Sequence, residues 1–380
     1  MLVARIEELV SKPIAKKVFS WLFTTFLFFT AAALVLNVFM SKGFIDDSNQ
    51  NTLAKTLAYK ADRPWVFRVL MPMVINFSCR KVSTIIPENV KRSILTNSKI
   101  RNRLDNMGKR FGWKEQPGRK YYLTMYFLLW VVLVLTLFAL QYLTREVYNC
   151  TFLQSVAGPV IGMLCYPLFF VGGGTLYDFA DLFLIILCLV FLIKEKWIFY
   201  YLFFVIAILN KETNVLLLLF YWAYYFQKHD RQKIFFHTLV HLVLGLPVFV
   251  GLKLIFQANP GPNLPFHLFL NLPFFLKLKS YFLFNDIYAP LVPSPRGFNI
   301  LSVFMFVFLI FYKWKEKPKG IRNIFSIIFI LYMGLLVFFG NRDEIRIFTP
   351  VLPTLYLLCF YTVINLNLQQ KPDYGQGNKR

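Results

Sequence analysis

The sequence predicts an all-α, polytopic membrane helical bundle, and three observations carry that expectation. Of 380 residues 57% are hydrophobic and 19% aromatic, yet only 16% are charged, where a soluble domain carries roughly a quarter. The apolar residues come in unbroken runs: Val18 to Met40 and Tyr121 to Thr144 hold no charge, and about 20 such residues span a ~30 Å hydrocarbon core. The 42 Lys and Arg outnumber 19 Asp and Glu, giving a formal charge of +23, and most fall in short segments between apolar runs, as in loops retained in the cytoplasm. A soluble enzyme is excluded, and so is a disordered basic chain, because 44 Phe would not stay in water. The same placement argues against nucleic acid as a partner. The five Cys are scattered without a CxxC, the pattern of buried neutral thiols.

Walking along the chain gives a single transmembrane domain over 1–380. A basic lead (Arg5, Lys12, Lys16, Lys17) ahead of span 1 at 18–40 reads as an uncleaved anchor with its N-terminus inside. Residues 41–65 form the first extracytoplasmic loop. Span 2, at 66–86, carries Arg68 at its outer end and Pro72 within it. The 87–120 loop holds ten Lys and Arg, so it reads as cytoplasmic and lies on anionic headgroups. Span 3 is 121–143. Residues 147–171, broken at Gly158-Pro159, start and end outside as a short pair or re-entrant segment. After a span at 176–193, two short runs over 197–226 form a hairpin with Asn210-Lys211-Glu212-Thr213 at its outer tip.

Spans at 234–256, 298–312, 321–339 and 346–366 bring the count to about twelve crossings, with both termini cytoplasmic in a cell inner (plasma) membrane. The Pro-rich 257–297 loop is too broken to cross; it lies in the outer interface as amphipathic segments and caps a cavity. On this layout 29 of the 42 basic residues are cytoplasmic while the acids split nine and ten, a Lys/Arg bias without an acid bias.

The layout puts nearly every embedded or boundary charge at one outer level. Asp46 and Asp47 follow span 1; Arg63 and Arg68 open span 2; Asp178 and Asp181 open a later span; Lys211 and Glu212 tip the hairpin; Arg342, Asp343, Glu344 and Arg346 precede the last span. Charges at membrane depth face a cavity or each other, so one outward polar chamber is expected. Local alternatives stand beside it: Asp46-Asp47 as a solvated loop, Asp178 and Asp181 as a helix cap, Lys211 paired with Glu212, and Glu344 paired with Arg346. Arg68, among Val66, Phe67, Val69 and Leu70, needs an anion, either a carboxylate or a ligand phosphate. His267 is a candidate phosphate contact, whereas His237 and His241 lack an HExxH around them. Carboxylates at the lipid edge suit proton abstraction from a hydroxyl or a divalent cation. Cations beside them suit a phosphate or pyrophosphate leaving group. A lipid-linked sugar brings that phosphate to the interface while its acceptor approaches from water.

Taken together, the acidic pair after the first span, the step Arg68-Val69-Leu70-Met71-Pro72, Tyr177-Asp178, the Asn210 to Thr213 tip and Glu344-Ile345-Arg346 before a Pro-bearing span resemble bacterial membrane proteins of the GT-C glycosyltransferase superfamily. The resemblance implies a polyprenyl-phosphate sugar donor, an inverting reaction and a catalytic Asp in the first extracytoplasmic loop, a role falling here to Asp46 or Asp47. Arg68, Arg342 and Arg346 are then the donor-phosphate ligands, with Asp178, Asp181, Lys211, Glu212, Glu344 and His267 in support and a cell-envelope glycan or glycolipid as acceptor. The chain departs from larger members in its length, its lack of a soluble C-terminal domain and its basic 87–120 insertion. Two other readings fit the layout: an O-antigen or capsule polymerase or ligase using similar donors, and a secondary transporter built on broken helices. Oligomeric state is not encoded in any feature of the sequence.

Overall fold

The computed structural model describes residues 13–43, 52–85, 102, 105–106, 108, 119–170, 173–288, 291–342 and 344–368. The protein is an all-α membrane bundle, in which six described helices are long and apolar enough to cross a membrane by length and composition. Helix α1 (Pro13–Val38) continues through a π-helical turn to Gly43; α2 (Leu53–Leu57) and α3 (Leu70–Ile85) flank a 3-10 turn at Trp65–Phe67. Then come α4 (Arg119–Val147), α5 (Phe152–Cys165), α6 (Asp178–Ile193), α7 (Trp197–Asn210), α8 (Leu218–Tyr225) and α9 (Arg231–Ile255). The short α10 (Leu268–Leu276) and a two-residue antiparallel pairing of β1 (Phe284–Asn285) with β2 (Ser294–Pro295) precede α11 (Ile300–Phe311), α12 (Lys319–Phe339) and α13 (Leu352–Leu368).

Contacts near the helix termini define two ends of the bundle. At the basal end Lys194, just past α6, pairs with Glu146 of α4 at 3.0 Å, and Tyr148 donates to the Leu357 carbonyl of α13. At the apical end Phe39 packs on Phe170 and Phe179, and Arg346 meets Asp178. Among the described residues α1, α4 to α7, α9 and α11 to α13 follow one another in alternating directions between these ends, and the 3-10 turn at Glu212–Leu217 with the short α8 returns the chain from α7 to α9. Helix α6 is the centre: Phe179, Leu182, Ile185, Ile186, Leu189 and Leu192 are all buried, so it is apolar on every side, as a fully enclosed helix must be.

This arrangement corrects the expected crossings in three places. Helix α3 does not traverse the bundle. Met71, Ile75 and Cys79, four apart, are buried against the bundle, and both ends of this stretch stay at the apical level, Arg68 beside Glu212 just ahead of it and Cys79 beside Lys120 and Thr124. It lies on the start of α4, where the Cys79 thiol donates to Thr124 Oγ1 at 3.2 Å, and Asn76 donates to the Leu57 carbonyl. Helix α4, 29 residues long and therefore about 43 Å, begins at the apical end and finishes at the basal Lys194, opposite to the expected direction. Lys120, the end of the 87–120 segment, thus stands at the apical end and not beside the basal turns.

The 147–171 segment is one traverse, because α5 runs through Gly158-Pro159 into a 3-10 turn at Tyr166–Phe170. A Cβ on Gly158 would lie 2.5 Å from the Phe360 ring, and one on Gly162 would lie 2.8 Å from Tyr356. The glycines let α5 and α13 approach; they do not break the helix, and Pro159 forgoes only the bond to the carbonyl four residues back. Removing two traverses preserves parity, so α1 begins and α13 finishes at the basal end.

One lysine fastens that end. Lys317 is 2% exposed, and its Nζ donates to the carbonyls of Leu309, Ile310 and Leu358 and to Thr362 Oγ1, at 2.6, 2.6, 3.0 and 2.8 Å. It satisfies the last carbonyls of α11 and ties them to α13. Lys317→Met keeps the aliphatic stem but orphans those acceptors. Thermal unfolding in detergent is expected to read a loss of about 2–3 kcal/mol.

Candidate functional site

A cavity of about 760 Å³ lies at the apical end. Its walls come from the segment ahead of α3, the start of α6, the α7–α8 turn, the 261–270 loop, and the chain between α12 and α13. Eight candidate residues from the sequence line it: Arg68, Asp178, Lys211, Glu212, His267, Arg342, Glu344 and Arg346. Asp181 sits behind the wall, 0% exposed. Asp46 and Asp47, the expected catalytic acids, lie outside the described residues, as does Asp343.

Three of the cations are already compensated. Arg346 donates Nη2 and Nε to Glu344 Oε1 at 2.7 and 2.9 Å, and its Nη1 lies 3.5 Å from Asp178 Oδ2. Asp178 also accepts from the Thr175 amide at 2.6 Å, so it is both a turn-forming residue and an Arg346 partner. Lys211 pairs with Asp181 at 3.2 Å, and Asn214 donates to the other Asp181 oxygen at 2.6 Å. Arg68 Nε lies 3.5 Å from Glu212 Oε2, and its guanidinium lies 4.2 Å from the centre of the Tyr177 ring. Lys211 and Glu212 therefore do not pair with each other, as the local alternative had it. Each reaches a different segment, Lys211 the start of α6 and Glu212 the residue Arg68 ahead of α3, because the chain turns from α7 into a 3-10 segment between them.

The residues left uncompensated are the informative ones. Among the described residues Asp62, Arg63 and Arg342 have no ion-pair partner. Buried atoms without a hydrogen-bond partner include Arg63 Nε and Tyr177 Oη, each on a cavity-lining residue. Such atoms are costly unless something else pairs with them.

Two loops hold these groups in place. The Arg63 amide donates to the Pro260 carbonyl at 2.7 Å, and Asn259 Nδ2 donates to the carbonyls of Tyr59 and Ala61. Gly261, at φ +91°, presses on the Arg63 backbone, where a Cβ would meet Arg63 O at 2.8 Å, so only glycine serves there. On the other side Asn271 Nδ2 donates to the carbonyls of Leu336, Val337 and Gly340, and its Oδ1 accepts from the Arg342 amide at 2.7 Å. His267 Nδ1 lies 3.1 Å from Gly340 O. A carbonyl only accepts, so Nδ1 carries a proton and donates it.

Sequence reasoning missed Asp62, Tyr177 and Asn271 as site residues. Asp62 and Arg63 did carry a signal, a charged pair directly before Pro64 and an apolar stretch. Asn271 carried none, since its value lies in contacts 65 to 71 residues away. The five cysteines are free, and among the described residues no group of three His, Cys, Asp or Glu could hold a metal ion.

Burial pushes the Glu344 carboxyl up, but the Arg346 ion pair and hydrogen bond, the Asn341 amide and the Arg68 charge together outweigh it and hold the carboxyl below the ordinary 4.5. A depressed carboxylate stabilises the fold above its unfolded pKa, and that contribution is lost as pH falls through the lower folded value. Thermal midpoints are therefore expected to be level near neutrality and to decline on acidification below about pH 4.5. Glu344→Gln is expected to flatten part of that decline.

Comparison with protein-family models, curated proteins and solved structures finds no match to this chain.

Proposed function

We propose that the protein is a GT-C-type membrane glycosyltransferase that moves a sugar from a polyprenyl-phosphate donor to an extracytoplasmic acceptor of the cell envelope. The single observation that carries this reading is a cavity holding an uncompensated carboxylate together with uncompensated arginines. Asp62 belongs to the 41–65 loop, where the GT-C resemblance puts the catalytic acid, and it is the described carboxylate there that lines the cavity. It serves as general base toward the acceptor hydroxyl. Arg342 and Arg63 stabilise the charge that grows on the departing phosphate. Arg68 and Arg346, already paired, hold the wall. Leu264, Pro265, Leu270, Leu335 and Phe339 line the same cavity and suit the first isoprene units of a lipid carrier.

Sidedness follows from the short turns. The basal turns carry Lys194 and Lys196, Lys228 to Lys233, and Lys313 to Arg322, which favours the cytoplasm. The stretch from Gly43 to Arg119 is longer than the ~60 residues over which basic charge governs retention, so its lysines and arginines do not forbid an outward apical end. That assignment makes the cavity extracytoplasmic and both chain ends cytoplasmic in a bacterial inner membrane.

The test is to incubate the full chain in nanodiscs with polyprenyl-phosphate sugars and envelope glycans and to measure free polyprenyl phosphate. Its release, dependent on acceptor, is expected. Counterflow of a labelled solute in proteoliposomes with no such release would replace the enzyme with a transporter.

A further inference from the structure

A second concavity lies at the basal end, away from the apical cavity and independent of the transferase reading. There α7, α8 and α9 meet in a knot of rings, with Trp197 and His237 centroids 4.1 Å apart and Tyr225 stacked on His229 at 4.2 Å. Outside the knot a groove of about 510 Å³ runs between α8 and α9, walled by Trp222, Phe226, Ile234 and Phe235, with His229 and Arg231 also lining it. Trp222 Nε1 donates to Thr238 Oγ1 at 2.9 Å, joining the two helices. Phe226 and Phe235 are 66% and 69% exposed, and only 17% of the apolar stretch of α9 is buried. In a membrane this slot faces acyl chains.

The charge around the slot is mainly basic, with Lys228, Arg231 and Lys233 against Asp230 and Glu195. Arg231 has no ion-pair partner among the described residues, and Lys233 stands two residues on. The two neighbouring acids are engaged elsewhere: Asp230 caps α9 by accepting from the Lys233 amide at 2.8 Å, and Glu195 accepts from Tyr225 Oη at 3.3 Å. Lys228 lies over the Tyr224 ring at 3.7 Å. His229 is pushed below the usual imidazole range by burial, and its Nδ1 lies 3.2 Å from Tyr221 Oη, so the positive charge at the slot is that of Arg231.

We propose that this groove binds one anionic phospholipid of the adjoining leaflet, its phosphate against Arg231 and its chains along Phe226 and Phe235. The reason is charge complementarity at the surface joined to an apolar slot below it, the combination by which basic pockets between membrane helices hold anionic headgroups. A neutral zwitterionic lipid fills the slot without the pairing.

Trp222 supplies the reporter. Full-length protein, purified in detergent and delipidated, is titrated with phosphatidylglycerol or phosphatidylcholine carrying dibrominated acyl chains. The Trp222 component of the fluorescence is obtained by subtracting the Trp222→Phe variant. Phosphatidylglycerol is expected to quench it at a concentration roughly tenfold lower than phosphatidylcholine, the ratio one well-formed charge-assisted contact supplies. Arg231→Gln is expected to abolish that ratio and leave the thermal midpoint in place. Equal quenching by the two lipids, a ratio that survives Arg231→Gln, or no quenching by either, as when a second protein chain covers the groove, would overturn the proposal.

Discussion

Arg346→Leu is expected to destabilise the protein by about 3–5 kcal/mol, the cost of removing one partner from a buried ion pair. The guanidinium sits between Glu344 and Asp178, and Asp178 is 1% exposed. Deleting the cation strands two carboxylates without their partner, and Asp178, whose side chain is 2% exposed, cannot reach water freely. Arg346→Lys keeps the charge but loses the planar fork, so its loss is smaller. Adding Asp178→Asn and Glu344→Gln to Arg346→Leu is expected to recover part of the stability, since no net charge then remains buried. Arg342→Gln provides the contrast. Arg342 is exposed and unpaired, so its loss should move the thermal midpoint little while raising the donor KM roughly tenfold. Guanidine or thermal denaturation of the four variants in one detergent decides the first part. An Arg346→Leu protein as stable as the parent would mean that the ion pairs do not hold the cavity wall.

Asp62→Asn is expected to lower transfer roughly 10²–10⁴-fold, the range that a positioned general base contributes, with expression and unfolding unchanged. The amide is nearly isosteric but cannot take a proton. Stability should hold because the Asp62 side chain has no ion-pair partner among the described residues, and the segment is fixed by its backbone, through Arg63 to Pro260 and Ala61 to Asn259. The same measurement on Asp46→Asn and Asp47→Asn distinguishes the three carboxylates of the first loop. Full activity of Asp62→Asn together with loss in Asp47→Asn would return the base to the acidic pair after the first helix.

These expectations differ in how far they could be foreseen. Arg346 beside Glu344 was visible as a local pair, two residues apart on one turn. Arg68 was visible as a cation in need of an anion, because Val66, Phe67, Val69 and Leu70 surround it. Its actual partners, Glu212 and Tyr177, were not visible, since three separate segments had to meet first. The role of α3 was misread from its apolar content alone. The stripe Met71, Ile75 and Cys79 was in the sequence, but a helix of modest apolarity reads equally well as a weak span or as one lying flat until its partner is known. Gly158-Pro159 looked like a break because both residues disfavour helices. What they meet across the bundle, Tyr356 and Phe360, converts the glycine into a packing notch.

The sequence by itself determined that the protein is helical and lies in a membrane, since uncharged runs of about 20 residues have no other stable setting. It also determined that the charges at the ends of those runs must find partners, because isolated charges at membrane depth are too costly to keep. Which partners they found was decided only by the tertiary structure. Direction, pairing and the division between compensated and uncompensated cations depend on distances between segments as much as 209 residues apart, and neither periodicity nor spacing along one segment carries that information.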